Sequence, residues 1–151
     1  MRHIDRIILH CSATPAGRDY TVDDITRWHR QRGFRTIGYH WVVYRDGTIH
    51  PGRPEREVGA HCKGYNAHSI GVCYIGGLTP LPNTSRQLAH RHVTLVGGVP
   101  HAGADTRTPA QRQAMRQLIA TLLQRYPGAQ VCGHYQFANK ACPCFKVPDE
   151  L

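Results

Sequence analysis

The sequence predicts an α/β fold in a single domain, a central mixed β-sheet flanked by helices. Three observations carry that expectation. Apolar runs occur within 4–11, at Ile7-Ile8-Leu9, and at Ser69 to Ile75, as in strands covered on both faces. A strongly periodic segment follows Thr108, repeating its apolar residues at helical spacing. Strand-like and helix-like segments alternate rather than segregate, which favours helices on a sheet over separate layers. With 151 residues, of which 40% are hydrophobic, the chain is long enough to bury one core without disulfide help.

Each element has a local cause. The first strand ends in Ile7-Ile8-Leu9-His10. Thr21 followed by Asp24 reads as a capping box, opening a helix that runs to about Arg32 and that Gly33 stops. Ile37 to Tyr44 is strand-like and aromatic-rich, and Arg45-Asp46-Gly47-Thr48 supplies an Asp-Gly turn into a second strand, making a hairpin. Ser69 to Ile75 is closed by Gly76-Gly77. Thr108-Pro109-Ala110-Gln111 combines an N-cap, proline at the first helical position and Gln three residues on. Met115, Leu118, Ile119, Leu122, Leu123 and Tyr126 then line one face until Pro127-Gly128. A short strand, Ala129 to Gly133, follows. The domain is expected to span 1–151, with an extra surface segment at 78–104, where prolines and glycines break any period. A short helix from Ser85 to Val96 is an option inside that segment. Its His90, His92 and His101 raise a second metal site, but a solvated excursion accounts better for them.

Charge narrows the partner class. Lys and Arg exceed Asp and Glu by 19 to 10, a formal +9, which favours an anionic partner. With no block of like charges and no Arg/aromatic tract, nucleic acid is not the expected one. No apolar stretch reaches signal-peptide or membrane-span length, so membrane insertion is not expected; the chain is expected to be cytoplasmic until released. The six cysteines lie mostly in apolar, strand-like segments and are expected to stay reduced.

The chemistry concentrates in His10, His134 and Cys142. His10 ends the first strand and His134 follows the last, so both are expected at the carboxyl edge where open α/β sheets carry their sites. Cys142 lies in the compact run Lys140-Ala141-Cys142-Pro143-Cys144. Three such ligands, with a fourth position left for water, make a catalytic rather than a structural zinc site. The chain has eleven His and six Cys, so spacing alone is a weak signal. Strand alternation places Ile8, His10 and Ser12 on one face and Ile7, Leu9 and Cys11 on the other. Cys144, two residues beyond Cys142, is a rival ligand.

Several blocks, taken in order, resemble one family: Ile8-Leu9-His10-Cys11-Ser12-Ala13-Thr14, Gly38-Tyr39-His40, Arg45-Asp46-Gly47-Thr48, and His61-Cys62-Lys63-Gly64-Tyr65-Asn66-Ala67-His68-Ser69-Ile70-Gly71-Val72. Asp105-Thr106-Arg107-Thr108, Gly133-His134 and Lys140-Ala141-Cys142-Pro143 complete the set. The chain is similar to type-2 N-acetylmuramoyl-L-alanine amidases, the zinc amidases that include short phage lysozymes and peptidoglycan recognition proteins. The resemblance implies hydrolysis of the amide between N-acetylmuramic acid and L-alanine in peptidoglycan, with a phage or prophage lysin as the setting. It implies Zn2+ on His10, His134 and Cys142, with Tyr39 and Lys140 as catalytic residues beside it. His61 and Asn66 are candidates for the substrate groove. Relatives that bind peptidoglycan without cleaving it, or that bind an RNA polymerase, define the alternative. Such recognition proteins usually lack the Cys ligand, which this chain keeps. An effector delivered by a secretion machine would share the same chemistry.

Overall fold

The computed structural model describes residues 2–81 and 93–151. Its main sheet has five strands: β1 (Arg6–Cys11), β3 (Trp41–Val43), β4 (Ile49–Pro51), β5 (Ser69–Tyr74) and β9 (Gln130–Gly133). Their order is β4-β3-β5-β1-β9. The β1, β3, β5 and β9 strands run parallel, and β4 is antiparallel to β3. The expected mixed sheet is therefore present, with the 45–48 turn joining the β3–β4 hairpin.

Two helices cover its two faces. The α1 helix (Val22–Gln31) opens on the expected box, with Thr21 accepting from the Asp24 backbone and the Asp24 carboxylate accepting from that of Thr21. The α2 helix (Pro109–Arg125) repeats the device with Thr108 and Gln111. Met115 and Leu122 are fully buried on α2, packing with Leu118 and Ile119 against Ile7, Leu9, Val72 and Tyr74. Burial of each such side chain contributes roughly 1.5–3 kcal/mol. Gln111 is buried as well, and its amide donates to the carbonyls of Val43 and Ile75, tying α2 to the carboxyl ends of two strands. On the opposite face Ile25 of α1 packs with Ile37, Val42 and Ile75. Ile8 faces that side too, with Cys62 and Cys132. The alternation along β1 thus places His10 on the α1 side.

The structure departs from expectation in two places. The regular strand at 37–44 is only Trp41–Val43, because the preceding backbone bonds elsewhere: Gly38 donates to the His29 ring and accepts from Ala60. At 78–104, the described residues are not merely a surface excursion. They supply β6 (Gly77–Pro80), β7 (Thr94–Val96) and β8 (Val99–Gly103). With β2 (Thr14–Pro15) these form a second sheet, ordered β2-β6-β8-β7. Leu78, Leu81, His101 and Ala102 are buried, whereas Leu95 and Val99 face solvent. The expected helix at 85–96 lies mostly outside the described residues, and its described end, Thr94–Val96, is strand. His90 and His92 also lie outside them. His101 donates from Nδ1 to the Val99 carbonyl at 2.8 Å, an ordinary structural bond. All six cysteines are free thiols.

Candidate metal centre

Three elements converge at the carboxyl edge of the main sheet. The β1 strand delivers His10 near its end, β9 runs into the 3-10 turn His134–Gln136, and the 140–144 segment brings Cys142 across both. One donor atom from each of His10, His134 and Cys142 lies within 4.8 Å of the others, the one such cluster among the described residues. The Cys142 sulfur is 3.8 Å from His10 Nδ1. Around a tetrahedral ion with bonds of about 2.0–2.3 Å, ligand atoms sit roughly 3.3–3.6 Å apart, so the Cys142–His10 pair is near that spacing and the set as a whole would draw together by roughly an ångström. Two imidazoles and a thiol are a donor set suited to zinc.

The second nitrogen of His10 is also engaged. Its Nε2 lies 2.8 Å from His61 Nδ1, and His61 Nε2 lies 3.2 Å from Ser69 Oγ, which donates to the Tyr65 carbonyl at 2.7 Å. One proton assignment satisfies the whole chain: His10 Nε2–H donates to His61, His61 Nε2–H to Ser69, and Ser69 to the backbone. That leaves His10 Nδ1, the nitrogen facing Cys142, with a free lone pair. Gly71 makes the arrangement possible, since a Cβ there would stand 2.6 Å from the His61 ring. His61 is thus a buried partner of His10 as well as part of the cleft wall.

Electrostatics keep the imidazoles neutral. Burial holds His10 well below its ordinary pKa, reinforced by His61, His134 and Lys140. Burial and Lys140 lower His134 in the same direction, and burial followed by His40 lowers His61. Neutral imidazole is the form that ligates a metal. The Cys142 sulfur accepts from the Cys11 backbone N–H at 3.2 Å. Cys144 is turned elsewhere. Its backbone is left-handed at φ 72°, and its thiol points to the Gly77 carbonyl at 3.6 Å.

A cleft of about 500 Å³ opens beside the cluster and reaches it at His134. Tyr39, His61, Asn66, His134 and Lys140 all line it. The Tyr39 ring packs between His10 at 5.1 Å and His29 at 5.3 Å, and burial raises its phenol well above the ordinary value. Asn66 serves the cleft wall itself, its Oδ1 accepting from the backbone of His61 and Cys62 at 2.9 Å each. His40 is buried behind His61, its Nδ1 accepting from the Gly71 backbone N–H. His29, which sequence reasoning missed, lines the same cleft. Its Nδ1 accepts from Gly38 N–H at 2.8 Å, and burial, with Arg32 nearby, lowers it to about 4. Its only sequence signal was a place on the last turn of α1.

A parallel-stranded α/β domain with a His-His-Cys cluster under a cleft, flanked by a phenol and an ammonium, has the parts of a metal-assisted hydrolase. The comparisons specify which. Residues 1–145 match the N-acetylmuramoyl-L-alanine amidase family, and the chain belongs to it. It is 40% identical over 143 residues to the endolysin of Escherichia phage T7, covering 95% of this chain and 82% of that protein. It is 41% identical over 142 residues to the endolysin of Klebsiella phage KP32, covering 94% and 82%. Among solved structures it is similar to the N-acetylmuramoyl-L-alanine amidase LysC from Clostridium intestinale, with TM-score 0.72 and 28% identity over 99% of this chain and 82% of that one. The activity is therefore that of an N-acetylmuramoyl-L-alanine amidase. No helix among the described residues is long and apolar enough to cross a membrane.

Proposed function

We propose that this chain is a zinc-dependent endolysin that hydrolyses the amide between the lactyl group of N-acetylmuramic acid and L-alanine in peptidoglycan. The observation that carries the reading is the convergence of His10, His134 and Cys142 within 4.8 Å, at a cleft also lined by Tyr39 and Lys140. His10, His134 and Cys142 would hold Zn2+, which supplies Lewis acidity: it makes water nucleophilic near neutral pH and polarises a carbonyl.

The remaining work falls to the chain. Amide hydrolysis builds negative charge on the carbonyl oxygen and needs a proton on the departing amine. Lys140 brings a cation to that oxygen. Tyr39, kept protonated by burial, is a hydrogen-bond donor at neutral pH and not a phenolate base. His61 acts through His10, fixing its ring and tautomer. Asn66 holds the 61–66 loop against the cleft, which leaves its Nδ2 for a substrate carbonyl. The substrate is a carboxylate-bearing, anionic wall polymer, which suits a chain of formal charge +9.

The test is digestion of purified muropeptides by the zinc-loaded protein, with mass spectrometry locating the cut. Release of intact stems beginning in L-alanine is the expected result. Binding without cleavage would leave a recognition protein instead.

A further inference from the structure

We infer that Arg107 is a positioning residue for the metal site: it clamps the segment that carries Cys142 and so sets where the thiolate ligand stands. This rests on the zinc reading above and deepens it, since it concerns how one of the three ligands is held.

The three candidate ligands are not supported alike. His10 stands on β1 and His134 follows β9 directly, so the hydrogen-bonded backbone of the sheet fixes both. Cys142 has no such frame. From 137 to 151 the chain consists of turns and bends, with neither strand nor helix. In such a segment individual side chains must supply the restraint that a ladder supplies elsewhere. Two of the anchors lie next to the ligand. Tyr135 N–H donates to the Cys142 carbonyl at 2.9 Å, and the buried Tyr74 hydroxyl donates to that of Pro143 at 2.7 Å.

Arg107 grips the chain just beyond them. Its guanidinium carbon lies 3.4 Å from the centre of the Phe145 ring, a stacked contact three residues after the ligand. Its Nη2 donates to the Glu150 carbonyl at 2.7 Å. Nε and Nη2 also pair with the two oxygens of Asp105, at 2.9 and 3.0 Å, which locks the plane of the fork. The side chain is wholly buried, and Phe145 is buried with it.

Neutralising Asp105 does not require this arginine, because Arg112 reaches the same carboxylate at 2.9 Å from the surface. The burial also has a cost. Nη1 of Arg107 has no hydrogen-bond partner among the described residues, and an orphaned charged donor in the interior is destabilising. Stability alone would therefore favour an apolar side chain on the Phe145 ring. What only arginine supplies is a flat, carboxylate-locked surface for that ring together with a donor for the Glu150 carbonyl. Arg107 is also absent from the cleft lining, so its effect reaches the site through the segment and not through the substrate.

The experiment measures zinc affinity by competition with a chelating dye, and the thiolate-to-cobalt absorption of the cobalt-loaded protein. Arg107→Lys keeps the charge and loses the fork and the stack. Its zinc affinity is expected to fall about tenfold, the scale of losing an outer partner of a ligand, with a weakened cobalt–thiolate band and an unchanged KM. Phe145→Leu, which removes the other half of the stack, should reproduce that loss. Arg112→Gln, which removes the second partner of Asp105 and leaves the stack, should keep parental affinity. Ile119→Val controls for stability: its apo melting temperature should fall while its zinc affinity holds. Parental affinity and band in folded Arg107→Lys would overturn the inference and leave the zinc reading intact; should that variant not fold, Phe145→Leu decides in the same way. An equal loss of affinity in Ile119→Val would also overturn it, reducing Arg107 to a stabilising residue. A parent that binds neither metal would overturn both readings.

Discussion

His10 Nε2 stands 2.8 Å from His61 Nδ1, while His10 Nδ1 faces the Cys142 sulfur at 3.8 Å. The two nitrogens of one ring are thus divided between a positioning partner and the candidate metal. That division predicts a distinct fault in His61→Ala. Removing the partner frees the His10 ring and its tautomer, so metal affinity should fall about 10–100-fold, typical of losing such an outer partner. Competition with a chelating dye measures it. A groove residue alone would change KM and leave metal affinity untouched.

Metal removal should abolish the amidase activity reversibly. Chelation followed by dialysis is expected to give a folded, inactive protein, and one equivalent of zinc to restore turnover. His134→Ala should not be rescued, because two ligands are too few for a stable open site. Full activity in a metal-free preparation, checked by elemental analysis, would refute zinc dependence.

Tyr39→Phe and Lys140→Ala should leave the metal in place and slow turnover. Each removes a group aimed at developing charge or at a proton in flight, and losses of roughly a hundredfold or more are typical. Normal zinc content with normal kcat in both variants would return Tyr39 to a packing role and Lys140 to the solvated surface.

Stability should fall as the solution is acidified through the window set by His29. Its folded pKa is lowered to about 4 from an ordinary 6.5, so the unfolded chain binds the proton first. The stabilisation is complete above about pH 6.5 and is lost progressively toward pH 4. Protonation at Nδ1 also removes the acceptor for Gly38 N–H. Melting temperatures of apo protein across that range should decline less steeply in His29→Asn, which offers an oxygen where the ring offers Nδ1. An identical slope in the variant would assign the decline to other groups.

Much of this was legible because its causes are local. Thr21 with Asp24, and Thr108 with Gln111, announce their helices within four residues, and both boxes form. His10 and His134 were legible because a polar ring ending an apolar strand is out of place unless it serves a site. The β6, β7 and β8 strands were hidden for the opposite reason. They are three to five residues long, β6 and β8 carry Gly and Pro, and their buried residues are adjacent rather than alternating, so no period accumulates. His29 was invisible as a cleft residue because only tertiary packing brings the end of α1 to the 61–66 loop. The bond from His61 to His10 has the same long-range origin, spanning 51 residues.

The choice between two thiols tests the centre most sharply. An extended segment would place Cys142 and Cys144 on one side, which made them rivals in the sequence. The backbone breaks that equivalence: Cys144 N–H donates to the Ala141 carbonyl at 2.7 Å, closing a turn, and Cys144 itself adopts φ 72°, rare for a residue with a Cβ. Its thiol is carried toward Gly77 and Gly103, away from the imidazoles. Hydrogen bonding to Cys11, with burial, pushes that thiol far above its ordinary pKa, which disfavours the thiolate a metal requires. Cys142 keeps its sulfur beside His10 and accepts from Cys11 N–H. Elemental analysis after dialysis should therefore find about one zinc per chain in Cys144→Ser and little in Cys142→Ser, since only the latter removes one of three ligands. The reverse pattern would transfer the ligand to Cys144 and unseat Lys140 as well, because its place in the cleft is set by the same short segment.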